Sequence, residues 1–372
     1  MTRLFFVAGE SSGDIHGANL IRALLAERPD WAFEGLGGRR MAGAVMDLRH
    51  DLAGEAIMGF AEVVKRLRPL RRLFKDTVTR LRETRPDVLV LIDYPGFNLR
   101  LAEEAKKLGI PIVYYISPQV WAWKKRRIHT IARLVDKMLV IFPFEEALYR
   151  NIGVDCAHVG HPLLDHIAEH RPRAAEDGEL VVGLLPGSRE MELRRIAPVM
   201  IETARRVRAR HPEARFEAPC VDEARAAQLR ALAGDFPLTL RVGGMFDVLS
   251  RARCCMVTSG TATLETALFG VPLVILYKMN PVTFRLARHL VQVEHIGIVN
   301  ILAGRRVAPE FIQHEAVPER VAPVLLDLVG DTPARRAMLA DLDGVREGLG
   351  GPGASARAAA EIIALLEESR HE

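Results

Sequence analysis

The sequence predicts an α/β protein built from two doubly wound parallel sheets facing a cleft, and three observations carry that reading. Apolar runs of strand length alternate with helical patterns from end to end. The pattern loosens once, through the Pro- and Arg-containing stretch His170–Gly178, and then restarts. The first strand, Leu4–Val7, runs straight into Ala8-Gly9-Glu10-Ser11-Ser12-Gly13-Asp14-Ile15-His16-Gly17, a turn of glycines, hydroxyls and carboxylates that opens a helix. Such alternation argues for parallel strands joined by right-handed crossovers, and in open parallel sheets ligands bind beyond the carboxyl ends of the strands.

In the first half the clearer strands are Leu4–Val7, Val88–Ile92, Ile112–Tyr115 and Lys137–Phe142, with helical stretches Leu99–Leu108 and Arg126–Leu134 between them. In the second half Leu180–Leu185, Arg215–Ala218, Leu238–Val242, Cys254–Thr258 and Pro272–Tyr277 read as strands, and Glu190–Arg210 as a long helix. The division expected is a first domain over 1–168, a second over 178–345 and a helical segment over 346–372, whose Ala-rich helix Ala354–Leu366 has one apolar stripe.

At 372 residues the chain is long enough for two ordinary cores, and its 26% of charged residues and 49% of hydrophobic ones exclude a disordered or fibrous class. No apolar run approaches the ~18 residues of a membrane span, and the start is too short for a signal peptide. A cytoplasmic location is therefore expected. Four cysteines without C-x-x-C spacing read as reduced core residues rather than metal ligands or disulfides.

The opening turn is acidic. A phosphate cradle wants backbone N–H groups and no competing negative charge, so Glu10 and Asp14 suit a loop that handles hydroxyls or a proton. Gly9, Gly13 and Gly17 fall four apart, which gives a bare helix face for either the sheet or a ligand. In Leu91-Ile92-Asp93-Tyr94-Pro95-Gly96-Phe97-Asn98, Asp93 stands at a strand's carboxyl end, where it either acts as a general base or caps the following helix.

The second half carries the opposite chemistry. Leu185-Pro186-Gly187-Ser188-Arg189 frees backbone N–H groups at the top of a strand and adds an arginine fork, which suits a diphosphate leaving group. Thr258-Ser259-Gly260-Thr261-Ala262-Thr263-Leu264-Glu265 offers hydroxyls and a helix start to a phosphate, with Glu265 one turn on to accept from a ribose. Each piece alone is equally a capped helix, but together they point to nucleotide-sugar binding. Asp341-Leu342-Asp343 is the single D-x-D and reads as a solvated helix face, so no metal and no cofactor is expected. The P-loop pattern is missing as well.

Two basic segments remain. Ser117–Arg127 combines Trp121 and Trp123 with four consecutive cations, which fits nucleic acid, an anionic amphiphile, or simply buried tryptophans ahead of a solvated helix. From Val63 to Lys75, Val63, Leu67, Leu70 and Phe74 repeat at helical spacing among Lys65, Arg66, Arg68, Arg71, Arg72 and Lys75, with Pro69 starting a second helix. The stretch is either a membrane-surface element or a helix packed on its own core.

Taken together, these motifs resemble the lipid-A-disaccharide synthases, glycosyltransferases of the two-Rossmann-like-domain (GT-B) type. A-G-E-S-S-G-D-x-H-G at 8–17, I-D-Y-P-G-F-N at 92–98, S-P-Q-V-W-A-W-K at 117–124, L-L-P-G-S-R-E at 184–190, S-G-T-A-T-L-E at 259–265 and N-I-L-A-G-R at 300–305 carry the resemblance in family order across nearly the whole chain. It implies transfer of 2,3-diacylglucosamine from UDP to the 6-hydroxyl of 2,3-diacylglucosamine 1-phosphate, with inversion. Matched by motif, Gly187, Ser188, Arg189, Ser259, Gly260, Thr261, Glu265 and Asn300 should bind the UDP moiety, and Glu10 should lie on the acceptor side, as catalytic base together with or instead of Asp93.

The resemblance also implies a peripheral enzyme on the cytoplasmic face of the inner membrane. Val63, Val64, Leu67, Leu70, Arg71, Leu73 and Phe74 would then contact an anionic surface. Nucleic acid is not an expected partner. A homodimer that exchanges C-terminal segments is the alternative to a final helix that returns to its own first domain. Some family members carry an acid where this chain has Gly96, which leaves Asp93 as the acid of that motif. The rival readings are a UDP-N-acetylglucosamine 2-epimerase-like enzyme and a non-catalytic binder of UDP-sugar or lipid phosphate.

Overall fold

Parallel strands covered by helices on both faces must be apolar throughout. The central strands meet that demand, since Val88–Ile92 and Val181–Leu185 are buried at every position. The structure, a computed structural model, describes residues 1–55, 67–121, 127–169, 179–280, 284–285 and 294–371. The chain falls into two compact units, Met1–Asp165 with Gly351–Glu372, and His166–Gly350.

The first unit is built on a seven-stranded sheet of β1 (Arg3–Ala8), β2 (Ala32–Gly37), β3 (Asp47–Asp51), β4 (Val88–Ile92), β5 (Ile112–Tyr115), β6 (Lys137–Val140) and β7 (Cys156–His158) in the order β3-β2-β1-β4-β5-β6-β7. The second holds β8 (Val181–Leu185), β9 (Arg215–Cys220), β10 (Leu238–Val242), β11 (Ala252–Thr258), β12 (Leu273–Tyr277) and β13 (Glu310–Ile312) in the order β10-β9-β8-β11-β12-β13. All pairings are parallel. Strand order reverses beside β1 in one unit and beside β8 in the other, so each is a Rossmann-like sheet with its switch point at β1/β4 or β8/β11.

The glycine face of the first helix, Ser11–Glu27, turns to the protein rather than to a ligand. A Cβ on Gly17 would stand 2.7 Å from Met41 Sδ, and one on Gly13 would stand 3.3 Å from Ala8 Cβ. Asp14 is buried and accepts from the N–H groups of Arg40 (3.1 Å) and Met41 (3.0 Å), capping the short helix Arg39–Gly43. It is therefore not a site acid. All four cysteines are buried and unpaired with one another.

The helix Leu67–Thr84 carries the described part of the predicted membrane-contact stretch. Pro69 falls in its first turn, where the missing N–H costs nothing. Leu70, Leu73 and Phe74 are half-buried against the first unit's core, with the Phe74 ring edge-on to Phe97 at 5.5 Å. They are anchored inward, while Arg68, Arg71, Arg72 and Lys75 are exposed. Val63 and Val64 lie outside the described residues, as does the side chain of Leu67. No helix among the described residues is long and apolar enough to cross a membrane.

The last helix, Ala354–His371, packs on Ser11–Glu27 of its own chain, burying Ala358, Ala359, Ile362 and Leu366. Asp165 accepts from Gly353 N at 2.5 Å. Arg357 donates to the carbonyls of Val159 (2.8 Å), Pro352 (2.9 Å) and Gly351 (3.0 Å), filling the space a Cβ on Gly160 would need. Salt bridges Lys137–Glu361 (2.8 Å) and Arg28–Glu367 (2.5 Å) add to it, the second an exposed pair worth little. Arg357→Ala should therefore lower stability in urea by about 2 kcal/mol and bring cleavage within 350–372 forward in limited proteolysis; unchanged unfolding and cleavage would show that apolar packing alone holds the helix.

Candidate active site

In the first unit, the carboxyl ends of β1 and β4 bring Glu10 and Asp93 together. Asp93 and Tyr94 are consecutive non-glycine residues in the left-handed region, at φ 44° and 45°. Such backbone costs on the order of 1–3 kcal/mol per residue and persists only where the surroundings fix it. Here they do. Asn98, fully buried, donates its amide to Asp93 O (2.8 Å) and Ile92 O (3.2 Å). Tyr114 donates its hydroxyl to Asp93 O (2.5 Å), and Asp93 N donates to Tyr115 O (3.2 Å). Pro95 then starts the helix Pro95–Lys107. Gly9 is required because a Cβ there would sit 2.2 Å from the Tyr94 ring, which locks the two motifs together.

The result is an acid in an unusual state. Burial, and next the negative charge of Glu10, raise the Asp93 carboxyl to about 6. Glu10 itself is exposed. A carboxylate tuned towards neutrality beside a second carboxylate can accept a proton from an attacking hydroxyl. A Cβ on Gly96 would meet nothing within 4 Å, so a side chain at this position would have open space.

Further along this unit, Trp121 is an anchor. It donates Nε1 to Glu145 (3.1 Å), and its ring meets Phe144 edge-on at 5.4 Å. Burial pushes Glu145 up to about 7 despite that bond. Trp123 lies outside the described residues.

In the second unit, a cleft of about 460 Å³ opens at the ends of β8, β9, β10 and β11, and it is lined by Gly187, Ser188, Arg189, Ser259, Gly260, Thr261 and Glu265. Gly187 has φ 101°, and a Cβ there would lie 2.4 Å from a Glu192 oxygen, so both conformation and space demand glycine. Arg189 precedes the helix Glu190–Arg210. Its N–H (3.2 Å) and guanidinium (3.1 Å) are held by Glu192, while the side chain remains 82% exposed. Gly260 precedes the helix Thr261–Leu268, whose first N–H groups have no intrahelical partner and lie at the positive end of its dipole. Glu265 is raised by burial alone, an acceptor inside the cleft suited to ribose hydroxyls.

Asn300 is not among the cleft residues. It is fully buried, and every group of its amide is spent. Nδ2 donates to Ala308 O and Glu310 Oε1 (both 2.8 Å), and Oδ1 accepts from Val307 N (2.9 Å) and Ala308 N (2.8 Å). Its influence on the cleft is indirect. Glu310 also accepts from Ile296 N (3.2 Å) and Gly297 N (2.9 Å), and Ile296 O accepts the Ser259 hydroxyl (2.9 Å). Asn300 thus positions Ser259 through Glu310. The cleft also contains residues that the motifs do not single out: Glu192, the β9 end Pro219-Cys220-Val221, and Gly243 and Met245 after β10. The strand-end rule applied to β9 and β10 would have found the last two groups.

Two Rossmann-like units, one with a tuned acid at its switch point and one with an anion-receiving cleft at its own, define a GT-B glycosyltransferase. The fold alone is shared widely. UDP-GlcNAc 2-epimerase from Neisseria meningitidis bound to UDP-GlcNAc superposes with a TM-score of 0.63 at 12% identity, covering 99% of this chain and 100% of that one. The calicheamicin glycosyltransferase CalG4 gives 0.63 at 14% identity, with 99% of each chain covered. Sequence is more specific. A family model described as lipid-A-disaccharide synthetase matches residues 4–347. The lipid-A-disaccharide synthases of Syntrophus aciditrophicus (43% identical over 376 residues, 98% of each chain) and Trichlorobacter lovleyi (43% over 378 residues, 99% of this chain and 98% of that one) are similar end to end. This chain belongs to the lipid-A-disaccharide synthase family.

Because removing Asn300 takes a partner from both the N–H and the carbonyl of buried Ala308, and one of several partners from Val307 N–H and Glu310, Asn300→Ala should lower stability by about 2 kcal/mol in chemical denaturation. A variant as stable as the wild type would refute its place at the centre of this network.

Proposed function

We propose that this chain transfers 2,3-diacylglucosamine from its UDP carrier to the 6-hydroxyl of 2,3-diacylglucosamine 1-phosphate. The products are UDP and the β-1,6-linked lipid A disaccharide 1-phosphate. Family membership over nearly the whole chain supports this. The observation that carries the chemistry is the division of labour between the Asp93–Glu10 pair and the Gly187–Arg189/Gly260–Thr261 cleft. The likeness to epimerases, at 12% identity, concerns fold only.

Asp93 acts as the base. It takes the acceptor 6-hydroxyl proton as that oxygen forms a bond to the donor's anomeric carbon from the face opposite UDP, and configuration inverts. The breaking C–O bond leaves its electron pair on the UDP β-phosphate. Arg189, the N–H groups of the Pro186–Ser188 turn and the start of the helix Thr261–Leu268 meet the charge that develops there, without needing a metal. Glu10 raises the basicity of Asp93 and accepts hydrogen bonds from acceptor hydroxyls.

The enzyme works as a peripheral protein at the cytoplasmic face of the inner membrane. Exposed Arg68, Arg71, Arg72 and Lys75 on one helix are suited to an anionic surface. A dimer that exchanges the final helix is not needed to seat it, since the helix Ala354–His371 has a place on its own chain.

A UDP-release assay with acylated and non-acylated acceptors tests the reaction: release should require the acylated acceptor 1-phosphate, and Arg189→Ala should cut it by more than about tenfold. Release independent of acceptor, or a wild-type rate in the variant, would overturn this assignment. The base is tested by pH. With Asp93 needed ionised, kcat/KM should fall as pH drops through about 6. Glu10→Gln removes the like charge, so the acid limb should move to lower pH with turnover retained. A loss of ~100-fold or more at every pH would make Glu10 the base instead.

A further inference from the structure

We propose that the Thr258 hydroxyl binds an oxygen of the donor's diphosphate. This deepens the donor reading above and rests on it. Thr258 is the last residue of β11, and it lines the cleft while only 5% exposed. Its Oγ1 is buried and has no hydrogen-bond partner among the described residues. Buried hydroxyls are nearly always satisfied, so one left open inside a cleft is a group held for something the protein does not supply.

Register indicates what that is. Val257 pairs with Leu185, the last residue of β8, so Thr258 lies level with Pro186, where the Gly187-Ser188 turn begins. Two residues beyond it, Gly260 opens the helix Thr261–Leu268. The hydroxyl therefore sits between the two N–H-rich turns, on the floor of the part of the cleft that receives negative charge. Its neighbours are already engaged elsewhere: Ser259 donates its hydroxyl to Ile296 O, and Thr263 donates to Gly260 O at 2.7 Å. Thr258 has its proton still to give, and a phosphoryl oxygen is the acceptor that chemistry favours there.

The proposal makes an unusual demand. A hydroxyl that serves folding is missed when removed, whereas a hydroxyl that waits for ligand is a burden to the empty protein. Thr258→Val keeps the β-branched shape and deletes the hydroxyl; Thr258→Ser keeps the hydroxyl. UDP and uridine binding to the full chain are measured by calorimetry beside thermal unfolding without ligand. Thr258→Val should weaken UDP about tenfold, leave uridine unchanged and unfold at or above the wild-type temperature, while Thr258→Ser binds UDP within about twofold of wild type. Undiminished UDP binding by Thr258→Val, an equal loss for uridine, or a lowered unfolding temperature overturns the proposal while the donor reading stands. A wild-type protein that fails to bind UDP overturns that reading and this inference with it.

Discussion

At the carboxyl end of a parallel strand the backbone runs out of sheet partners, and this protein resolves that constraint in opposite ways in its two units. At β1/β4 the exposed carbonyls are closed off: Asn98 and Tyr114 cap the Ile92 and Asp93 oxygens, and carboxylates are what remain on view. At β8/β11 the turns bring glycine and serine backbone to the cleft, and its polar side chains are hydroxyls, Arg189 and the carboxylates Glu192 and Glu265. In the proposed reaction one end receives a proton and the other receives negative charge. Transfer of a sugar from a diphosphate to an alcohol needs both.

Much of this is legible in the sequence because the chemistry sits in short motifs at strand ends, where residue type is dictated by backbone geometry. Gly187 and Gly9 are forced, one by its φ and its neighbour Glu192, the other by the Tyr94 ring. The strands that the sequence hides are those with weak apolar signals. β3, Asp-Leu-Arg-His-Asp, is an edge strand with little burial; β2 contains a buried Glu34 paired with Arg80 and Arg49; β7 and β13 are three residues long. Edge position and brevity both remove the pattern that a strand in the middle of a sheet must show.

The misplaced residues share one cause. Asn300, Asp14, Leu70, Leu73 and Phe74 are legible in sequence only by residue type, but their roles depend on what lies across from them. A polar side chain in an apolar run is reserved for something, and sequence does not say whether that partner is ligand or main chain. For Asn300 it is Ala308 and Glu310; for Asp14 it is the start of a helix. An amphipathic stripe likewise covers either a membrane or a core, and Phe74 spends part of its surface on Phe97.

Both strand ends also carry groups that cost the empty protein stability. Asp93 has a left-handed backbone and a carboxyl raised above its ordinary range. Because its folded pKa exceeds the unfolded one, the fold favours the protonated form, and stability declines as pH rises through that interval. The ionised form that the proposed reaction needs is the one the fold disfavours. On the other unit, Arg189 is held by Glu192, a carboxylate that the diphosphate of the proposed donor would displace from the fork. That exchange keeps the guanidinium charge balanced without ligand and lets it meet the diphosphate at the cost of a single exposed ion pair, which is worth little in water. The sheets bear these penalties because their central strands are buried on both faces, so the reactive ends can remain strained or unsatisfied without the fold giving way.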